Sequence, residues 1–165
     1  MKKVNVRVLI LSLFFVYLAA FIGALLSSSG VNSIWYNSVK PAITPPNWVF
    51  PVVWNILFFL IAISLYLCWT AKNKNKKQSR KNKIRIMLVF GVNLLLNILW
   101  SYLFFTVQSP VIAFYELVIF EISIFAMIFV TYKISKTSAY LLLPYAIWVV
   151  FAGLLNYLIA FASFY

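Results

Sequence analysis

Residues 51–107 read PVVWNILFFLIAISLYLCWTA (51–71), KNKNKKQSRKNK (72–83) and IRIMLVFGVNLLLNILWSYLFFTV (84–107). Two apolar runs of bilayer-crossing length flank a dense basic connection, and neither run shows the period-two alternation of a barrel strand. Working outward, runs of the same kind occupy 8–27, 111–132 and 139–164. The expectation is an all-α integral membrane protein, a five-transmembrane-helix bundle, in a single domain over 1–165. No repeat at a fixed period divides it.

Composition agrees. Of 165 residues, 65% are hydrophobic, 19% aromatic and only 10% charged, and the mean hydropathy is +0.99, whereas a water-soluble domain carries about 25% charged residues. The first run follows Lys2, Lys3 and Arg7, but it exceeds the length of a signal-peptide core and reads as a span.

The net charge of +12 would suit nucleic acid if it covered a folded face. Instead the basic residues sit before the first run, between the second and third (72–85), and at Lys133 and Lys136, with Lys40 alone at the opposite ends. By the positive-inside rule this places the N-terminus in the cytoplasm and the C-terminus outside, in what reads as a bacterial plasma membrane. The 72–85 segment is read as a solvated topology determinant whose charge density also suits anionic lipids. No nucleic-acid partner is expected.

The chain has no His and no Asp; its carboxylates are Glu116 and Glu121 and its one cysteine is Cys68. This excludes Ser-His-Asp and Cys-His catalysis, His-metal sites, an internal disulfide and a CxxC pair. At 100° per residue Glu116 and Glu121 stand about 140° apart on a helix, so they do not form one acid/base pair. An intramembrane Glu is a functional candidate, and Glu116 is near enough to the outer surface to meet a pocket there. For Glu121 a neutral group, a contact between subunits and a proton path stay open.

The outer loop, 28–50, is long for so compact a chain, which is usual for a lid or binding element. It carries Trp35, Tyr36, Lys40-Pro41 and Pro45-Pro46-Asn47-Trp48-Val49-Phe50-Pro51; the prolines make it semi-rigid and prevent continuous helix. Trp35, Tyr36, Trp48 and Trp69 fit an interfacial aromatic belt. Trp54, one turn inside its helix, begins a stripe with Phe58. In the third span Asn93, Asn97 and Ser101 recur every four residues beside Trp100 and Phe104, either as glue between helices or as ligand contacts. In the fifth, Pro144, Trp148, Ala152, Asn156 and Ala160 do the same. Indoles at Trp54 and Trp148 with a few amides would suit a large, flat, mostly apolar ligand, and close helix packing would explain the small residues equally well.

The string Trp35-Tyr36 … Lys40-Pro41 … Pro45-Pro46-x-Trp48-x-Phe50-x-x-Val53-Trp54 resembles the signature of the tryptophan-rich sensory protein and translocator protein family, the peripheral benzodiazepine receptors. So do Asn93 … Asn97 … Trp100-Ser101, Ala113-x-x-Glu116, and Pro144-Tyr145 … Trp148 … Phe151-Ala152 … Leu155-Asn156. The resemblance implies a five-helix bundle, often a homodimer, with a cavity roofed by the first loop. It implies binding of porphyrins such as protoporphyrin IX or haem, of benzodiazepine-type drugs and, in animals, of cholesterol; some bacterial members promote light-dependent porphyrin breakdown. The family's pocket tryptophans fall on Trp54 and Trp148, its asparagines on Asn93 and Asn97, and its helix 5 alanine on Ala152. Three departures stand out. Gly91 is followed by Leu95 where a small-x-x-x-small dimer seam is described, while Ala19, Gly23 and Ser27 hold that spacing in the first span. No basic residue follows Lys136, so a cholesterol-recognition pattern at the end of the fifth span is absent. Glu116 stands where relatives commonly show Asp.

The functional expectation is therefore a receptor that binds a tetrapyrrole in a pocket of Tyr36, Trp48, Trp54, Phe58, Asn93, Asn97, Trp100, Glu116, Trp148, Ala152 and Asn156. Lys40 is the nearest cation for a propionate. With no His for an axial bond, recognition rests on the ring face; no cofactor or metal is required. Light-dependent porphyrin degradation at Trp54 and Trp148, or translocation, are the alternatives.

Overall fold

The structure, a computed structural model, describes residues 4–71 and 75–162. Lys2, Lys3, Lys72, Lys74 and the end of the expected fifth span lie outside the described residues. Five helices among those described are long and apolar enough to cross a membrane: Val6–Ser28, Val49–Thr70, Lys76–Thr106, Pro110–Tyr132 and Lys136–Ala162. The outward side chains are apolar, among them Phe14, Leu25, Leu95, Ile122 and Ile147, as a hydrocarbon solvent demands.

Helix α1 (Val6–Ser28) starts at Asn5, whose side chain accepts from the Val8 amide. Its buried seam is narrow and small: Ser12, Val16, Ala19 and Gly23. A Cβ on Gly23 would stand 3.5 Å from Ser101 Oγ and 3.9 Å from Asn97 Oδ1, so the small residues of the first span face another helix of the same chain. Gly91 has open space around it.

Within the outer loop the chain forms a short helix, α2 (Ile34–Val39), capped by Ser33 accepting from the Tyr36 amide and ended by Lys40 in extended backbone before Pro41. Helix α3 (Val49–Thr70) carries Pro51 in its first turn, where a missing N–H costs nothing. Helix α4 (Lys76–Ser101) begins eight residues before the expected 84. The basic segment is thus mostly helix rather than loop, because Asn75 Oδ1 accepts from the Lys77 and Gln78 amides and Lys, Gln and Arg are good helix formers whatever their charge.

α4 widens into a π-helical turn, Tyr102–Thr106, and the chain reverses through Gln108 at φ 54°. Helix α5 (Pro110–Tyr132) follows with Pro110 in its first turn. The fifth span is made of two pieces: α6 (Lys136–Tyr140), capped by Ser135, and α7 (Leu143–Tyr157), which runs into a second π-helical turn, Leu158–Ala162.

The closest helix pairs are α4–α5, α1–α3, α5–α7 and α1–α4, giving the circular order α3, α1, α4, α5, α7. The ring closes unequally between its first and last members. At the basic end α3 packs on α6, and Ser64 Oγ donates to the Ser138 carbonyl at 3.0 Å. At the loop end α3 and α7 make no extended backbone approach and meet through aromatic side chains.

The loop is seated on the α4 π-turn: a Cβ on Gly30 would stand 2.7 Å from Phe105 Cβ and Cδ1 and 3.0 Å from its carbonyl oxygen. Gly30→Ala is expected to lower stability by about 1–3 kcal/mol by overpacking, whereas Gly91→Ala leaves it unchanged or slightly raised. Thermal unfolding of both variants in detergent checks this; equal midpoints would show that the seat is not tight.

Candidate functional site

Bringing α3 and α7 together antiparallel at the loop end sets one residue pair above another. Phe50 meets Trp148 edge-on at 5.9 Å between centroids, and a turn further in Trp54 meets Tyr145 edge-on at 6.1 Å. Trp54 stacks on Phe58 (5.3 Å, 28° between planes), and Trp148 leans on Phe151 at 5.6 Å. The two indoles that the sequence singled out therefore both belong to the aromatic wall of the α3–α7 seam, in two separate ring pairs, Trp148 with Phe50 and Trp54 with Tyr145. Both are half-buried, and Ala152 packs against the same core. Trp148 Nε1 is buried without a hydrogen-bond partner, so this wall presents an unused donor.

A second aromatic group lies under α2. Tyr36 is buried between Phe104 and Phe105, at 6.2 and 5.6 Å, and Trp35 meets Phe104 at 5.7 Å. Trp100 stacks on Phe104 at 5.1 Å and 21° and also packs against the main core, joining the two groups. Burial pushes the Tyr36 phenol up from its ordinary value, so it stays a neutral hydroxyl at physiological pH.

The amides turn out to hold helices. The Tyr145 hydroxyl donates to Asn93 Oδ1 at 3.0 Å, Asn93 Nδ2 donates to Ser123 Oγ at 2.8 Å, and Ser123 Oγ donates to the Phe120 carbonyl at 2.6 Å. That chain ties α7, α4 and α5 and engages both ends of the Asn93 amide. Asn156 does the same nearer the loop end: its Oδ1 accepts from Trp100 Nε1 at 3.1 Å and its Nδ2 donates to the Pro110 carbonyl at 2.7 Å. Asn97 and Ser101 are buried opposite Gly23 of α1. The four-residue spacing thus puts these groups on one side of α4, yet they serve different neighbours.

Glu116 is buried on α5, and neither of its carboxyl oxygens nor those of Glu121 has a hydrogen-bond partner. Trp48 is not brought to the wall: it is 67% exposed at the start of α3, where an interfacial belt residue belongs. Lys40 is exposed on the loop, its Nζ donating to Asn37 Oδ1 at 2.8 Å. Sequence reasoning left Tyr145 as part of a motif and missed its role as the hub; the signal was a mid-span phenol, which needs a buried acceptor. Ser123 and the Pro110 carbonyl gave no signal. Among the described residues no group of His, Cys, Asp and Glu could hold a metal ion. The arrangement offers flat ring faces and one indole donor, with the Asn93 and Asn156 amides already engaged.

Asn156→Leu should cost about 2–4 kcal/mol, since it strands a buried carbonyl and a buried indole N–H together; Asn47→Leu on the exposed loop should cost little. Thermal melts of the two variants decide, and a silent Asn156→Leu would remove the tie.

The profile of the TspO/MBR family matches residues 11–162. The chain is 37% identical to the tryptophan-rich protein TspO of Archaeoglobus fulgidus, over 94% of this chain and 96% of that protein. It is 36% identical to the tryptophan-rich protein TspO of Chlorobaculum tepidum, over 76% and 77%, and 30% identical to the translocator protein of Bos taurus, over 85% and 80%.

Proposed function

From the premise that this chain belongs to the TspO/MBR family of integral membrane proteins, we propose that it is a receptor for porphyrins and similar flat hydrophobic ligands, held against Trp54 and Trp148 beneath the 28–50 connection. The observation that carries the reading is the aromatic seam between α3 and α7, where Trp148 faces Phe50 and Trp54 faces Tyr145. A planar ligand replaces ring–ring contacts there with contacts of the same kind, each worth about 0.5–1.5 kcal/mol beyond area burial. Trp148 Nε1 supplies the polar contact that the wall itself leaves unused, and Lys40 is the cation within the roof for a ligand carboxylate. Asn93 and Asn156 keep the helices in place rather than touching the guest. With no His in the chain, binding proceeds without that axial ligand.

Titration of protoporphyrin IX against intrinsic tryptophan fluorescence tests this in the dark. Replacing both Trp54 and Trp148 by Phe should weaken binding by tenfold or more, read by porphyrin absorbance because the indole signal itself changes, while Trp48→Phe should leave the affinity within about twofold. Unaltered affinity in the double variant would overturn the site.

In this reading the basic helix ends face the cytoplasm of a bacterial cell and the ligand arrives from the opposite face. A cysteine introduced as Asn47→Cys should then react with an impermeant maleimide in intact cells, and one introduced as Lys136→Cys only after lysis. The reverse pattern would invert the topology.

A further inference from the structure

We propose that the basic end of the bundle holds the headgroup of an acidic phospholipid in a defined cleft, independently of any ligand at the other end. Two adjoining hollows open where α1, α3, α4 and the α5–α6 turn meet. The larger, of about 870 Å³, reaches Asn5, Tyr66, Ser135 and Thr137; the smaller, of about 70 Å³, reaches Ser79, Asn82 and Lys133. Trp69, Ala71, Lys83 and Ile134 line both. The Asn5 amide donates to the Tyr66 hydroxyl at 3.2 Å, which fixes the start of α1 against α3 at the larger opening.

The chemistry of the lining selects an anion. Lys83 and Lys133 are exposed cations, hydroxyls surround them, and no carboxylate is near: the closest on α5, Glu121, is separated from Lys133 by about 18 Å of helix rise. Neither ammonium has an acidic partner among the described residues. Each instead rests on a ring, Lys83 Nζ 5.3 Å from the Trp69 centroid and Lys133 Nζ 3.9 Å from that of Phe129. This is the posture of a lysine whose stem lies along apolar surface and whose head is held at the polar boundary.

Depth distinguishes a lipid from a dissolved anion. Val8 and Leu67 line the larger hollow, and the α1 surface beyond it exposes Leu11, Phe14 and Phe15. A phosphate at Lys83, which lines both hollows, would therefore have hydrocarbon on the side of the larger hollow and Lys133 on the side of the smaller one, which is the setting of a phospholipid headgroup whose acyl chains continue along the helices. Basic residues near a bilayer contribute about 1 kcal/mol each toward acidic lipid, or about fivefold.

Native mass spectrometry of the full chain, released from detergent after incubation with phosphatidylglycerol or phosphatidylcholine, tests this. Phosphatidylglycerol should be retained several-fold better than phosphatidylcholine. The paired variant Lys83→Gln with Lys133→Gln should lose about twentyfold of that retention, Lys83→Arg with Lys133→Arg should keep it, and Lys76→Gln with Lys77→Gln, on the same helix outside the cleft, should change it less than twofold. Equal retention of the two lipids would overturn the proposal. So would equal losses in the two glutamine pairs, which would mean diffuse attraction to a basic surface. Displacement of the lipid by millimolar inorganic phosphate would mean a small-anion site instead and would likewise overturn it.

Discussion

The bundle depends on one constraint: inside hydrocarbon a polar side chain has no water to fall back on, so each must find its partner within the protein. Two short hydrogen-bond chains meet that demand for Tyr145, Asn93, Ser123, Trp100 and Asn156, whereas Glu116, Glu121 and the Trp148 indole are left without partners. Tyr145–Asn93–Ser123 and Trp100–Asn156–Pro110 each join α4, α5 and α7, and together they fix how these three helices are rotated about their own axes. Apolar packing alone fixes rotation poorly here, because these helices are apolar on nearly every side and lipid tails are as apolar as the core. The rotation set by the amides is what turns Trp148 toward α3 and Trp100 toward α2.

This accounts for what could and could not be read from the chain. The five spans were legible because bilayer thickness converts directly into run length, and no other element of this chain is so apolar for so long. The start of α4 was not, since hydropathy reading stops at the first lysine cluster while helix propensity continues through it; Asn75, not the charge pattern, ends the preceding connection. Helix α2 escaped for a similar reason. Six residues with a Ser33 cap leave no periodic signal, and a loop rich in proline reads as irregular.

Among the aromatic residues, the stacked pairs Trp54–Phe58 and Trp100–Phe104 were legible from their four-residue spacing. The neighbours of Asn93, Asn97 and Ser101 were not. A stripe every four residues says that three groups share one side of a helix, yet which helix each faces is decided by the packing order around the ring. Asn93 meets α5 and α7, Ser101 meets the glycine notch of α1, and Asn97 lies between that notch and Tyr145 of α7. Acceptors such as the Pro110 carbonyl are backbone, common to every residue, and leave no mark in the sequence.

The unequal closure of the ring links fold to the proposed binding. At the basic end, parting α3 from the fifth span would break the Ser64–Ser138 hydrogen bond and bare the buried Ala62, Cys68 and Ala139 around it. At the loop end it would separate edge-on ring pairs, Phe50 from Trp148 and Trp54 from Tyr145, each worth about 0.5–1.5 kcal/mol beyond the apolar area that parting also bares around Tyr145. In the proposed binding a flat guest would restore ring contacts to both sides as it enters, which would offset part of the cost of opening on that side alone. The amide chains lie on α4, α5 and α7 and do not cross the seam, which lets α3 yield there without disturbing the rotation that aims Trp148 into it.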